Sequence, residues 1–155
     1  MDIKTFYIKE KDILLELKKD LKKTLKYRNS ESNVKANRTG WYYYKEEKGR
    51  ELFEKLNSYF KDLSIVQCWG NHYIKGDSAD KHIHKNNQPA TGEYQVCGII
   101  YLTDSKTGTF FDDLNITSEA KIGKVVLFHP ETYHSVPKIE ELERYTISFN
   151  ARYKL

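Results

Sequence analysis

The sequence predicts a mainly β domain, a sandwich or barrel with two helices ahead of it. Three observations carry that expectation. From Ser64 onward the chain breaks into six to eight short apolar, β-branched and aromatic runs divided by turn residues. Before Ser64, two stretches instead repeat apolar residues every three or four positions, which is helical spacing. At 155 residues the chain has the length of one domain, 1–155, with a helical N-terminal layer over 1–63 and a β core over 64–155.

The first helix is expected over 9–27, where Leu14, Leu17, Leu21 and Leu25 form one stripe and lysines and aspartates fill the other faces. Residues 28–40, with Asn, Ser, Arg and Gly, read as a loop. Gly40-Trp41-Tyr42-Tyr43-Tyr44 reads as a short aromatic strand whose rings either pack the core or line a mouth. A second helix is expected over 49–62, with Leu52, Phe53, Leu56, Tyr59 and Phe60 on one side. Ile65 to Ile74 is the first long strand, ending at Lys75-Gly76-Asp77. Tyr94 to Thr103, the turn residues Asp104 to Gly108 and the returning Thr109-Phe110-Phe111 read as a hairpin. Lys121 to Lys124 turns into the strand Val125-Val126-Leu127-Phe128, and the last strand runs from Arg144 to about Tyr153.

Composition narrows the function classes. No stretch holds the ~18 apolar residues of a membrane span, and Met1-Asp2-Ile3-Lys4 lacks the basic-then-apolar layout of a secretory signal. Cys68 and Cys97 lie in apolar runs and read as buried free thiols, so a reducing cytoplasm is the expected compartment. Residues 1–60 hold 15 Lys and Arg against 10 Asp and Glu, whereas 61–155 hold 11 against 12. The basic excess is therefore N-terminal. It reads first as a solvated helix face, with an anionic partner such as nucleic acid as the alternative.

The chemistry concentrates in Asp80-Lys81-His82-Ile83-His84 and in what answers it fifty residues later. On an extended strand, residues two apart share a face, their Cα atoms roughly 6–7 Å apart. The imidazoles of His82 and His84 then project side by side. A third, His134, follows in Phe128-His129-Pro130-Glu131-Thr132-Tyr133-His134, and Arg144 stands ten residues beyond it. Three neutral imidazoles suit Fe(II), Zn or Cu, and three protein ligands leave coordination positions open for catalysis. Arg144 opens a strand whose alternate residues Thr146 and Ser148 share its face. Its planar guanidinium offers two parallel donors to one carboxylate. Its bland alternative is a solvated arginine paired with Glu143. His72 faces either the cavity or the outside, and His129 reads as a structural turn residue.

Trp69-Gly70-Asn71, His82-Ile83-His84, Tyr101-Leu102, Gly108, Phe128 with Pro130, His134, and Arg144-Tyr145-Thr146-Ile147-Ser148-Phe149-Asn150 together resemble the iron(II)/2-oxoglutarate-dependent oxygenases. The resemblance is to a small phage and bacterial subgroup with the pattern H-x-H…H…R-x-S-x-S-F-N, and it covers 64–150. It implies a double-stranded β-helix, a jelly roll, with the two N-terminal helices packed outside. It further implies Fe(II) on His82 and His134, with His84 as the candidate third ligand, and Arg144 and Thr146 on the distal carboxylate of 2-oxoglutarate. Tyr73 and Tyr101 are candidates for further hydrogen bonds to that cosubstrate. The implied reaction consumes O2, decarboxylates 2-oxoglutarate to succinate and hydroxylates a C–H bond of a peptide or small-molecule substrate. Most of the superfamily reads H-x-D; here His84 takes the carboxylate's position, and either it ligates or Asp80 or a water substitutes. Two alternatives remain. One is a three-histidine cupin dioxygenase that does not use 2-oxoglutarate: Gly76 is spaced from His82-x-His84 as in cupins, but Gln88 and Pro89 stand where cupins carry Glu. The other is a jelly-roll binding module without catalysis.

Overall fold

A computed structural model describes residues 3–29, 33–84 and 94–155; Gln88 and Pro89 lie outside them. In chain order the elements are β1 (Lys4–Tyr7), α1 (Lys11–Thr24), β2 (Tyr27–Asn29), β3 (Val34–Arg38), α2 (Glu47–Lys55), β4 (Leu63–Ile74), β5 (Ser78–His82), β6 (Val96–Tyr101), β7 (Ser105–Phe111), β8 (Ile116–Ala120), β9 (Lys124–Phe128), β10 (His134–Val136) and β11 (Glu143–Tyr153). The protein is mainly β, one curled antiparallel sheet with two helices against it. The strands run β1-β9-β6-β11-β4-β3-β5-β10-β7-β8, with β2 beside β3. The curl turns at β3. Its C-terminal residues Asn37 and Arg38 pair with β4, while Val34 and Lys35 pair with β5. The two halves of the sheet are thereby folded over one another.

Alternation explains how one half of the sheet serves two cores. On β11, Tyr145, Ile147, Phe149 and Ala151 face the helices and join Leu14, Leu17 and Leu21 of α1 and Leu52 and Phe53 of α2. The intervening Arg144, Thr146 and Ser148 face the interior of the roll. β6 divides in the same way: Val96 and Ile100 pack toward the helices, while Cys97, Ile99 and Tyr101 join Phe111, Val126 and Phe128 inside. Burial on both faces is why β6 reads as a continuous apolar run. Cys68 and Cys97 are buried free thiols, as expected. Among the described residues no helix is long and apolar enough to cross a membrane.

Several expectations need correction. The predicted loop over 28–40 contains β2 and β3. Lys35, Asn37 and Arg38 hide the β3 pattern, since its only apolar residues are Val34 and Ala36; the strand forms because both of its flanks have partners. The predicted β6–β7 hairpin does not exist. β11 and β9 occupy both edges of β6, so the chain crosses to the other half, where β7 pairs with β8 and β10. The aromatic stretch is a single bridge, Tyr42 to Cys68, followed by a short 3₁₀ turn over Tyr43–Lys45. The second helix starts at Glu47 and stops at Lys55, and a 3₁₀ turn over Asn57–Tyr59 continues it. β1 was outside every sequence signal; it is a four-residue edge strand on β9.

Candidate metal centre and its cavity

β5 and β10 are antiparallel neighbours, and their register sets His134 opposite His82. His84 lies two residues past the end of β5, where its backbone N–H donates to the Pro130 carbonyl at 3.0 Å. That bond ties it to the turn leading into β10. The three rings converge, with centroids 4.3 Å apart for His82 and His134, 5.1 Å for His84 and His134, and 5.8 Å for His82 and His84. One ring nitrogen from each lies within 4.8 Å of the other two.

Hydrogen bonds decide which nitrogen each ring presents. His82 Nδ1 is 2.6 Å from the Asp80 carbonyl oxygen, His134 Nδ1 is 2.9 Å from the Thr132 carbonyl oxygen, and His84 Nδ1 is 2.6 Å from Asn150 Oδ1. All three acceptors are carbonyl oxygens, which cannot donate. Each Nδ1 therefore carries the proton, and each Nε2 is left with a free lone pair. Burial favours the neutral rings. It lowers His84 to about 4 and His134 to about 3, with neighbouring histidines adding to both depressions. Burial also lowers His82, partly opposed by Asp80 and Asp112. Near neutral pH the cluster is thus three uncharged nitrogen donors, the donor set that divalent transition metals prefer. Asp80 supplies its backbone carbonyl, while its own side chain is exposed.

The cavity beside the cluster is lined by Trp69, Asn71, Tyr73, Thr109, Thr146 and Arg144 among others, and no Asp or Glu is on its wall among the described residues. Arg144 is 1% exposed. Its Nη2 donates to Thr109 Oγ1 at 3.1 Å, its guanidinium stacks 4.8 Å from the Tyr73 ring, and its Nε is buried without a hydrogen-bond partner. No carboxylate of the described residues pairs with it. The neighbouring Glu143 points to the other face and contacts His72 Nε2 at 3.2 Å. A fully buried cation without a counter-charge is costly, so its fit is to an anion that enters the cavity.

The other predicted residues divide. Thr146 lines the cavity and accepts a hydrogen bond from Asn71 Nδ2 at 3.2 Å. Tyr73 is on the wall, its phenol raised by burial against the opposing pull of Arg144. Tyr101 stands behind the wall and donates to Thr109 Oγ1 at 2.7 Å. His72 is outside the cavity, stacked 4.5 Å from Tyr145 with Nδ1 on Asn37. His129 is exposed and accepts from the Glu131 N–H in its turn. The aromatic stretch splits between its two readings. Tyr43 is fully buried, whereas Trp41 is 43% exposed and packs edge-on against Trp69 at 5.1 Å. Asn71 and Asn150 belong to the quoted motifs but carry no role in the sequence reading, and Thr109 stands there only as a strand residue. The signal for Asn150 was available, since it continues the alternation Arg144, Thr146, Ser148.

No family model matches the chain, and no curated protein matches its sequence. Solved structures do match its shape. A viral collagen prolyl hydroxylase from Paramecium bursaria Chlorella virus-1, in complex with 2OG, superposes with a TM-score of 0.73 at 16% identity, covering 98% of this chain and 96% of that one. A prolyl-4-hydroxylase from Pseudomonas putida gives 0.70 at 16% identity, covering 99% and 93%. HygX from Streptomyces hygroscopicus, with nickel and 2-oxoglutarate bound, gives 0.67 at 10% identity, covering 99% and 83%. At these identities the likeness is one of fold: the chain is a curled antiparallel sheet of the double-stranded β-helix kind, with two helices packed outside.

Proposed function

We propose that the protein is an Fe(II)- and 2-oxoglutarate-dependent oxygenase that hydroxylates a C–H bond of a peptide or small-molecule substrate, releasing succinate and CO2. The observation that carries this reading is the pairing of two features on one cavity: three neutral imidazoles with free Nε2 atoms, and a buried arginine with no counter-charge among the described residues. A lone metal site does not require Arg144, and a lone anion site does not require three converging histidines. The similar fold of proteins solved with 2OG, or with nickel and 2-oxoglutarate, supports the same reading.

In this reading His82, His84 and His134 hold Fe(II) through Nε2, and Arg144 receives the distal carboxylate of 2-oxoglutarate. Bound there, the metal and cosubstrate supply the oxidising chemistry, using O2. The chain's own part is orientation and exclusion of water. Thr109 fixes one arm of the guanidinium, Tyr73 supports its face, and Tyr101 secures Thr109 from behind. Asn71 holds the Thr146 and Ser148 hydroxyls on the wall beside the arginine, at 3.2 and 3.0 Å. Phe128 and Phe111 pack against His134 and keep its far side dry. Trp69 lines the cavity and Trp41 leans on it from outside, which makes this side the expected approach for substrate.

Succinate release tests the proposal. Protein supplied with Fe(II), O2 and 2-oxoglutarate is expected to form succinate, faster when a substrate couples the reaction. A proline-containing peptide is the first substrate to try, because two of the similar folds belong to prolyl hydroxylases. No succinate under any of these conditions, with folded and metal-loaded protein, would refute the oxygenase reading.

A further inference from the structure

We propose that Asn150 is a positioning residue that makes His84 a metal ligand, held in turn by Gln67 and Tyr94. The inference rests on the reading of the histidine cluster as a metal centre and concerns the one ligand that departs from H-x-D. A carboxylate in that position would need no help, since both of its oxygens can ligate. An imidazole has two nitrogens and needs the second one committed if the first is to face the metal.

His82 and His134 get that commitment from backbone carbonyls two residues upstream, a local arrangement. His84 gets it from a side chain 66 residues away, Asn150 Oδ1 at 2.6 Å. An amide could turn and offer its NH2 instead, which would select the wrong tautomer. The surroundings prevent this. Asn150 Nδ2 donates to Gln67 Oε1 at 3.2 Å, and the Tyr94 hydroxyl donates to the same oxygen at 2.7 Å. Gln67 thus presents an acceptor to Asn150. On the opposite side the Cys97 thiol donates to Asn150 Oδ1 at 3.1 Å. The orientation in the structure satisfies all these contacts at once, with the oxygen toward His84.

The backbone sets the relay abreast. Gln67 of β4 and Cys97 of β6 are the register partners of Asn150 on β11, one on each flank. The β11–β4 ladder shifts register immediately after Asn150. Such irregularities re-aim side chains beside functional sites. Asn150 is 4% exposed, and Tyr94 is 5% exposed. A buried network of this kind fixes geometry because turning the Asn150 amide alone sets its NH2 against the His84 N–H and its oxygen against Gln67 Oε1.

The test reads tautomer and metal separately. Long-range 1H–15N NMR of the metal-free protein reports which imidazole nitrogen carries the proton, and anaerobic Co(II) titration followed by visible absorption reports affinity. Wild type is expected to hold His84 as the Nδ1–H form. Asn150→Ala should give mixed tautomers and bind Co(II) roughly 10- to 100-fold more weakly, the usual cost of losing a ligand's supporting hydrogen bond. Asn150→Asp keeps an acceptor and should restore both readouts. Gln67→Leu frees the amide and should reproduce part of the loss, which keeps the proposal testable if Asn150→Ala fails to fold. Unchanged tautomer and Co(II) affinity in Asn150→Ala, or in Gln67→Leu where the alanine variant does not fold, would overturn the positioning role alone. Wild type that takes up no Co(II) would overturn the metal centre, and this inference with it.

Discussion

Arg144→Ala is expected to leave the metal in place and to weaken 2-oxoglutarate binding by two to four orders of magnitude. The magnitude follows from the surroundings of the side chain. Arg144 is 1% exposed, so an incoming carboxylate loses water on reaching it. Among the described residues of the cavity wall, the remaining polar groups are neutral hydroxyls, amides, imidazoles and the Trp69 indole. Removing one member of a buried, charge-assisted pair costs about 3–5 kcal/mol, because the other charge is left without compensation. At 1.4 kcal/mol per tenfold this gives the stated range. Arg144→Lys keeps a charge but loses the paired donors that a carboxylate matches, and should fall between the two. The assay is calorimetric titration of 2-oxoglutarate into anaerobic Mn(II)-loaded protein, with a cooperative thermal transition as the control for folding. Equal affinities in wild type and Arg144→Ala would refute the reasoning, since among the described residues nothing else on the wall carries a fixed positive charge.

Three other outcomes are expected. His134→Ala should lose its metal, measured by elemental analysis after loading with Fe(II) and desalting; undiminished iron would exclude the cluster as the site, and iron retained in His84→Ala but lost in His82→Ala would make His84 a bystander. The metal-free protein should lose stability on acidification. His84 and His134 lie at about 4 and 3 when folded, against an ordinary 6.5, so the unfolded chain binds the extra protons. Their contribution is intact above pH 6.5 and declines as pH falls toward 3, by about 3 kcal/mol for His84 alone; urea midpoints that stay flat between pH 7 and 4 would contradict the buried, neutral rings. Gly98→Ala should lower the melting temperature, because a Cβ there would collide with the buried Phe149 ring. Overpacking of this kind costs about 1–3 kcal/mol, or several degrees at this chain length, and an unchanged melting temperature would mean that β6 and β11 are less tightly apposed than described.

The fold was legible where local periodicity and burial agree. Leu14, Leu17 and Leu21 announce α1 because a three- and four-residue stripe is what a helix buries. The alternation through Arg144, Thr146 and Ser148 announces the interior face of β11. Illegible were the parts that depend on distant partners. β3 is a strand because β4 and β5 flank it, and its own residues are mostly polar. The turn residues Asp104 to Gly108 suggest a reversal there, but Ser105–Phe111 is all strand, and both edges of β6 are already taken. The site divided in the same way. The histidine triplet and Arg144 stood out by residue type and spacing, whereas Thr109, Gln67 and Asn150 are ordinary polar residues whose roles exist only across strands.

The most direct test of the account is a crystal structure of the protein grown anaerobically with Mn(II) and 2-oxoglutarate. The account predicts one metal ion bonded to Nε2 of His82, His84 and His134, and the distal carboxylate of 2-oxoglutarate on the Arg144 guanidinium beside Thr109 and Thr146. A metal bound elsewhere, or a dicarboxylate that leaves Arg144 uncontacted, would contradict it.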